Sequence, residues 1–358
     1  MHFGLTEEQQ LLQETVRGFA SGECPPARLR ELFDTGEGHD PALWKGLAEM
    51  GLTGLLLPEA HGGAGLGLLE QALVMEELGA AALPSPLLGH TLAGLAIALG
   101  GSDAQRARWL PALATGEKIA GIAVAEAEGW DPEAWALRLE SGRLEGRKRF
   151  VPHARHADLL VAGVAGGGLA VVESGAAGLG VEDTPGVDLA HPLAELQFAG
   201  AAAEALAGDA GAAQRVRDAA LVLLAADAFG AAWRLVTMTV DYAKQREQFG
   251  QPIAQFQAVK HELADMATAV EPSRALIWYA AHAFDALPDE APRAAAVAKA
   301  HVCARACEVG RSAVELHGGI GFTWECDVQI WLKRALFDRA FFGTPEHQHA
   351  RIAALADW

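Results

Sequence analysis

The 358-residue sequence has few basic residues, few cysteines and few long apolar runs without a charged residue, and each shortage argues against a class of function. Lysine and arginine total 28 against 46 aspartates and glutamates, so the formal net charge is -18. This charge repels phosphate backbones and anionic lipid headgroups at long range, which argues against a nucleic-acid-binding or membrane-surface role. The four cysteines form no CxxC pair, so the sequence predicts neither a disulfide framework nor a zinc site.

Signals for export and for membrane insertion are also lacking. The stretch from Met1 to Glu8 has neither the basic start nor the apolar run that a secretory signal requires. Charged residues interrupt nearly every long apolar run, so we expect no stretch of roughly 20 residues to span a bilayer. Together with the scattered cysteines, these shortages predict a soluble, reduced protein of the cytoplasm.

Hydrophobic periodicity divides the chain into three parts. Thr6 to Gln9 has the form of a capping box, and helical apolar spacing then continues through most of the chain up to Ala114. From Ile119 short runs follow, with Ser141-Gly142 as a hairpin signal, and they predict antiparallel β-structure. Long helical periods return after Gly208 and favour a four-helix bundle.

We therefore predict an α+β fold, and the absence of βαβ alternation argues against a Rossmann-type nucleotide domain. The predicted parts are an N-terminal helical domain at 1–116, a central β-domain at 117–205 and a C-terminal helical bundle at 206–358.

Two motifs in the last third of the chain carry the strongest chemical signal. The first, from Tyr242 to Gln257, reads YAKQREQFGQPIAQFQ, and the second, from Leu316 to Glu325, reads LHGGIGFTWE. In the first motif Arg246 offers a guanidinium that pairs well with a pyrophosphate, while Phe249 offers an apolar wall and Gln257 offers an amide. The first motif alone is thus compatible with binding of a dinucleotide.

The glycines of the second motif fit the same interpretation. Gly318 and Gly319 permit a ligand to approach the backbone closely, because neither carries a Cβ. Each motif also has a plainer explanation: Arg246 pairs with Glu247 or Asp241 on a solvated helix, and the two glycines only end a helix. Residue chemistry alone leaves both explanations open.

At this separation the two motifs resemble the signature of the acyl-CoA dehydrogenase family, and the resemblance covers essentially the whole chain. It implies an FAD-dependent enzyme that performs the α,β-dehydrogenation of an acyl-CoA thioester, with an electron-transfer flavoprotein as acceptor. It also implies assembly through the bundles into a dimer of dimers, in which each subunit contacts the adenine and pyrophosphate end of a neighbour's FAD. The residues assigned to the cofactor on this basis are Arg246, Phe249, Gln257, Glu315, His317, Gly318, Gly319 and Thr344.

The position of the catalytic base departs from the family pattern. Most members abstract the α-proton with the glutamate of a Tyr-Glu-Gly-Thr sequence, and the matching stretch, Phe341 to Thr344, has Phe342 in that place. A minority place the glutamate near the start of the first bundle helix, and that position falls on Ala220. Asp227 lies seven residues further on, roughly on the same helical face, and is either a replacement base or a solvated acid. The catalytic residue is therefore unassigned.

The segment that holds the flavin ring in the family is also altered. Where members have Thr-Glu-Pro and Gly-Ser-Asp, the chain has the shorter stretch Ala125 to Asp131, which lacks the hydroxyl groups. The family's Trp-Ile-Thr corresponds to Phe150, Val151 and Pro152, and Phe150 is either an aromatic wall or a core strand residue. Residues for a neighbour's FAD are thus retained, whereas those for the chain's own flavin ring and base are lost.

This asymmetry resembles the base-lacking partner subunit of heteromeric acyl-CoA dehydrogenases of the steroid- and dicarboxylate-degrading type. A heterotetramer with a base-bearing subunit is the leading hypothesis. A homotetramer with an unusual base and a flavin-free, acyl-CoA-binding relative are the alternatives.

Three smaller features are expected to be structural. Cys303 and Cys307 are predicted to be buried thiols on one helix, and Glu346 is predicted to be a surface charge. His347 and His349 have no third ligand nearby in the sequence, so no metal site is predicted.

Overall fold

The structure is a computed structural model that describes residues 4–127, 129–208 and 210–356. The chain forms two compact units. One contains the chain up to Leu29, Ala72–Leu83 and the chain from Leu221 onward, and the other contains Arg30–Gln71 and Pro84–Ala220. The predicted boundaries of three domains, 1–116, 117–205 and 206–358, remain a proposal.

The described residues form twelve α-helices. In chain order they are α1 (Glu7–Glu23), α2 (Pro26–Thr35), α3 (Pro41–Glu49), α4 (Leu68–Ala81), α5 (Leu87–Gly100), α6 (Asp103–Ala114), α7 (Ala210–Gln245), α8 (Gln257–Val270), α9 (Ser273–Ala286), α10 (Ala291–His317), α11 (Val328–Ala340) and α12 (Pro345–Ala354).

The predicted start of α1 is confirmed. The Gln9 amide donates to the Thr6 hydroxyl oxygen at 3.2 Å, and the Thr6 amide donates to the Gln9 side chain at 3.0 Å. These bonds satisfy two of the donors that a helix leaves open at its first turn. In helix α2, Leu29 and Leu32 lie at helical spacing and are both buried.

Ten strands are described, and eight of them form two four-stranded sheets. They are β1 (Ala120–Ala123), β2 (Arg138–Glu140), β3 (Arg143–Pro152), β4 (Leu159–Val164), β5 (Gly168–Glu173), β6 (Leu179–Thr184), β7 (Leu193–Ala202), β8 (Glu204–Ala205), β9 (Glu247–Gln248) and β10 (Gln251–Pro252).

The sheets confirm the predicted central β-structure. Their strand orders are β1-β4-β5-β8 and β2-β3-β7-β6, and all pairings are antiparallel except β1 with β4, which is parallel. Ser141 and Gly142 join β2 to β3 with φ angles of 49° and 75°. This is the backbone of a tight two-residue hairpin, as the sequence predicted.

The C-terminal helices confirm the predicted bundle. Helix α10 packs against α8, α9, α11 and α12. Pro272 separates α8 from α9, because proline cannot donate a helical hydrogen bond.

One expectation from the sequence was wrong. Helix α7 is long and apolar enough, between Gly211 and Gln245, to cross a membrane by length and composition. Of its most apolar window, 89% is buried inside the protein. The apolar character of α7 thus serves the protein core, as in the central helix of a soluble protein.

Candidate cofactor-binding site

The first motif forms the end of α7 and a small hairpin. The Arg246 amide still donates to Tyr242 O at 2.8 Å, and β9 and β10 then pair around a turn at Phe249 and Gly250. Both turn residues have positive φ, 54° and 78°. The hairpin leaves the Phe249 side chain 94% exposed, with its ring 6.1 Å from that of Phe256.

The Arg246 side chain is exposed and makes no ion pair within the described ranges. Instead Lys244 lies 3.9 Å from Asp241. The plainer interpretation, in which Arg246 neutralises Glu247 or Asp241, was therefore wrong. Its guanidinium remains available to an external anion.

The second motif ends α10 at a histidine that is held in place. The Tyr242 ring stacks on the His317 ring with 4.2 Å between centroids, and the Tyr242 hydroxyl donates to His317 O at 3.2 Å. His317 Nδ1 lies 2.8 Å from Ala313 O, and because a carbonyl only accepts, Nδ1 carries the proton. Burial lowers the pKa of His317, so the ring is neutral at pH 7 and its Nε2 is a hydrogen-bond acceptor.

Gly318 stops α10 and also leaves room beside it. Its φ is 67°, and its amide donates to Glu315 O, which closes the last helical turn. A Cβ built on Gly318 or Gly319 would meet no atom within 4 Å. Gly318 therefore ends a helix, as the plainer interpretation held, and both glycines also leave open space for a ligand.

The two motifs meet in one cleft of about 510 Å³. Four of the eight predicted cofactor residues line it: Arg246, His317, Gly318 and Gly319. It is completed by residues that were not assigned, namely Tyr242, Gln248, Ile253, Leu316 and Ile320. Tyr242 was detectable, because it precedes Arg246 by four residues and so shares its helical face.

The other four predicted residues lie outside this cleft. Phe249 is at the hairpin tip, Gln257 is the exposed first residue of α8, and Glu315 is exposed on α10. Thr344 caps α12, where its hydroxyl accepts from the His347 amide. Their assignment to the cofactor remains a prediction.

The position of the family's usual base is occupied by a buried aromatic ring. Phe342 is 2% exposed, has a φ of 58° and packs edge-on against Phe341 at 5.0 Å. The buried Lys299 side chain fixes the backbone on both sides of Phe342, because its ammonium donates to Asp338 O at 2.5 Å and to Gly343 O at 3.2 Å. The loop therefore presents a hydrocarbon where a proton acceptor would be needed.

Asp227 is not a solvated acid, so that interpretation was wrong, and its surroundings argue against the alternative of a replacement base. Its two carboxylate oxygens each accept a hydrogen bond of 2.7 Å from Arg334, on Nε and Nη2. Both side chains are 2% exposed. A carboxylate that is paired in this bidentate way and sealed from solvent is poorly placed to accept a substrate proton. Ala220, the other candidate position, is fully buried on α7.

Comparison with known proteins identifies the fold and its chemistry. Residues 6–117 match the model of the acyl-CoA dehydrogenase N-terminal domain, and residues 218–356 match that of the C-terminal domain. The chain belongs to the acyl-CoA dehydrogenase family. It is thus a member of a family of FAD-dependent oxidoreductases, which confirms the predicted fold, enzyme class and cofactor.

The chain is similar over nearly its whole length to two proteins that are named as acyl-CoA dehydrogenases. The chain is 34% identical to the acyl-CoA dehydrogenase IpdE2 of Mycolicibacterium smegmatis over 351 residues, which cover 98% of this chain and 99% of that one. It is 36% identical to IpdE2 of Mycobacterium tuberculosis, with coverage of 92% and 91%.

Solved structures of acyl-CoA dehydrogenases are similar to this chain over nearly its whole length. A chain of the Tcur3481-Tcur3483 steroid acyl-CoA dehydrogenase, G363A variant, superposes with a TM-score of 0.91 at 32% identity, covering 98% of this chain and 97% of that one. A chain of the ChsE4-ChsE5 complex from Mycobacterium tuberculosis gives 0.89 at 29% identity, with coverage of 99% and 98%. This acyl-CoA dehydrogenase therefore resembles steroid-type members, including heteromeric ones.

The cleft at Arg246 fits one end of FAD. Arg246 would pair with a pyrophosphate oxygen, and the open space at Gly318 and Gly319 would let the dinucleotide lie against the backbone. His317 Nε2 would accept from a hydroxyl or amino group. The donor set therefore suits a phosphate-bearing ligand despite the acidic overall charge.

The segment that would face a flavin ring in this family is used for internal packing. The Glu126 carboxylate accepts bonds from the amides of Ala136 at 2.7 Å and Leu137 at 3.0 Å, and from the buried Lys148 ammonium at 2.5 Å. Glu128, part of the predicted stretch, lies outside the described residues. Glu126 thus stabilises the β-structure and has little capacity left for a ligand.

Phe150 belongs to the surface, so its interpretation as a core strand residue was wrong. The ladder between β3 and β7 is irregular between Lys148 and Val151, and Phe150 there has a φ of 51° and is 42% exposed. A β-bulge of this kind turns a side chain out of the alternating pattern. The ring stacks on that of the half-buried Trp130, with 6.5 Å between centroids.

The two cysteines and Glu346 follow the predictions. Cys303 and Cys307 are buried, and burial raises their pKa values to about 12 and about 11, so neither is a reactive thiolate. Glu346 is exposed and pairs with Arg339 at 2.7 Å. Over the described residues, no three His, Cys, Asp or Glu side chains are arranged to hold a metal ion.

Proposed function

We propose that this chain is the base-lacking subunit of a heteromeric acyl-CoA dehydrogenase and completes the FAD site of a base-bearing partner. The observation that carries the proposal is an asymmetry between its two sets of site residues. The Arg246 cleft retains its cation and its open glycines, whereas Phe342, Ala220 and the Arg334-bound Asp227 offer no available proton acceptor. The similarity to the ChsE4-ChsE5 complex supports the same assignment.

The substrate is an acyl-CoA thioester, and the similarity to a steroid acyl-CoA dehydrogenase favours one from steroid degradation. FAD, when bound, accepts the hydride that leaves the β-carbon. Arg246 binds and neutralises the pyrophosphate of the partner's cofactor, and the Tyr242–His317 stack orients the imidazole acceptor beside it. The α-proton goes to a carboxylate of the partner, because abstraction requires a base within hydrogen-bonding reach.

We further propose that the assembly is a heterotetramer formed through the helical bundles, with an electron-transfer flavoprotein as electron acceptor and the cytoplasm as location. The exposed apolar side chains near the cleft fit such an assembly. Phe322 is 77% exposed and Trp324 is 44% exposed, directly after the glycines of the second motif. Apolar surface of this kind is typical of protein interfaces.

The test is expression of the chain alone and together with acyl-CoA dehydrogenases encoded nearby, followed by flavin quantitation. We expect one FAD for two chains in the complex, dehydrogenation by the complex, and no turnover by the chain alone. Full FAD occupancy with turnover by the chain alone would contradict the proposal. Absence of flavin from every complex would instead favour a flavin-free, acyl-CoA-binding relative.

Two variants test whether Arg246 contributes to FAD binding. Arg246→Gln in the complex should lower FAD affinity by about tenfold or more, since a charge-assisted hydrogen bond contributes roughly 1.5–3 kcal/mol. Lys244→Gln is the matched control, because Lys244 lies two residues earlier and interacts with Asp241. Equal FAD affinity in the two variants would remove Arg246 from the site.

A further inference from the structure

A second, smaller cavity lies in the same compact unit as the bundle and is separate from the cofactor cleft. Its volume is about 270 Å³, and it is an open pocket lined by α1, the start of α2, the end of α4, α7 and α11. Most of its wall is apolar or small, including Ala20, Leu29 and Ala81. None of its lining residues belongs to the cleft at Arg246.

Two arginines reach this cavity, and one of them is already neutralised. Arg17 donates to both oxygens of Glu77, from Nη2 at 2.7 Å and from Nε at 3.0 Å. This geometry is the strong bidentate pairing of a guanidinium with a carboxylate. Arg17 and Glu77 together therefore contribute no net charge to the cavity.

The other arginine has no acidic partner. The Arg234 guanidinium lies over the Trp331 ring, 5.5 Å from its centroid, and makes no ion pair or side-chain hydrogen bond to any described residue. The Trp331 ring is itself fixed, because its indole nitrogen donates to Ala80 O at 2.9 Å. The cavity thus presents one uncompensated positive charge, on a rigid aromatic support, against apolar walls.

We propose that this cavity binds a compact organic monocarboxylate, with its carboxylate on Arg234 and its hydrocarbon body against the walls. A guanidinium matches a carboxylate in shape, and one free cation matches one negative charge. A phosphate dianion fits less well, because the cavity offers one uncompensated positive charge and mostly apolar walls. A volume of about 270 Å³ suits a single small ring or a short branched chain.

The test uses 3-fluorobenzoate as the probe, monitored by fluorine NMR, with the full-length chain in the complex in which it purifies. Arg234→Gln removes the charge and breaks no ion pair, so this variant should fold. Ala81→Leu fills part of the cavity and keeps the charge. Arg305→Gln is the matched control, because Arg305 pairs with Glu308 on α10, away from the cavity wall.

We expect saturable binding of the probe to the unaltered chain and to the Arg305→Gln control. In Arg234→Gln and in Ala81→Leu the dissociation constant should rise at least tenfold. Competition with isobutyrate should displace the probe, whereas inorganic phosphate should not. Unchanged affinity in Arg234→Gln, displacement by phosphate as effective as by isobutyrate, or no saturable binding to the unaltered chain would each overturn the proposal.

Discussion

The buried ion pair between Asp227 and Arg334 gives the sharpest prediction about stability. Two hydrogen bonds of 2.7 Å join side chains that are each 2% exposed. Arg334→Met removes the cation and leaves a charged carboxylate that neither water nor a neighbouring donor compensates. Breaking a buried pair from one side costs about 3–5 kcal/mol, so the free energy of unfolding should fall by about that amount.

Denaturant unfolding measures this change, provided that protein concentration and flavin content are kept fixed, because assembly and ligand binding add stability by mass action. Arg339→Met is the matched control on the same helix. Its partner Glu346 has a side chain that is 70% exposed, so the loss should stay within about 1 kcal/mol.

A double variant distinguishes the loss of the ion pair from the cost of leaving one buried charge without its partner. Asp227→Leu together with Arg334→Met removes both charges, so it should be considerably more stable than the sum of the two single effects predicts. The reasoning is refuted if Arg334→Met costs no more than Arg339→Met. It is also refuted if the double variant loses the full sum of the single losses.

Two further predictions concern packing and pH. Gly230→Ala should strongly lower the free energy of unfolding, because the added Cβ would lie 1.9 Å from Glu76 O. Gly18→Ala on α1 is the control in the same unfolding assay. Its Cβ would meet no atom within 4 Å, so this variant should be neutral or stabilising. Burial lowers the pKa values of His39 and His90 to about 4 from 6.5, so the stability they support is complete above pH 6.5 and declines toward pH 4. His90→Gln should flatten the fall in unfolding free energy between pH 6.5 and 4.5, and an unchanged slope would contradict this cause.

Much of the fold could be predicted from the sequence because its signals are local. The capping box at Thr6 and the hairpin at Ser141 both depend on residues within a few positions of one another. Strand β7, by contrast, pairs with β3 across the intervening strands, and no local signal specifies that partner.

The bulge at Phe150 shows where alternation fails as a guide. The sequence allowed Phe150 to be a core strand residue, since an aromatic residue before Val151 suits a strand. One irregular step in the ladder with β7 turns its side chain outward and leaves Val151 buried. The register with a distant strand thus decided which of the two is buried.

The sequence by itself determined what this chain lacks. A phenylalanine at 342 and an alanine at 220 cannot accept a proton in any fold, because that inability is a property of the side chains. The tertiary structure alone decided the role of Asp227, whose partner Arg334 lies 107 residues away. It also decided which motif residues share a cleft, because ion pairs and cavities are made by segments that only folding brings together.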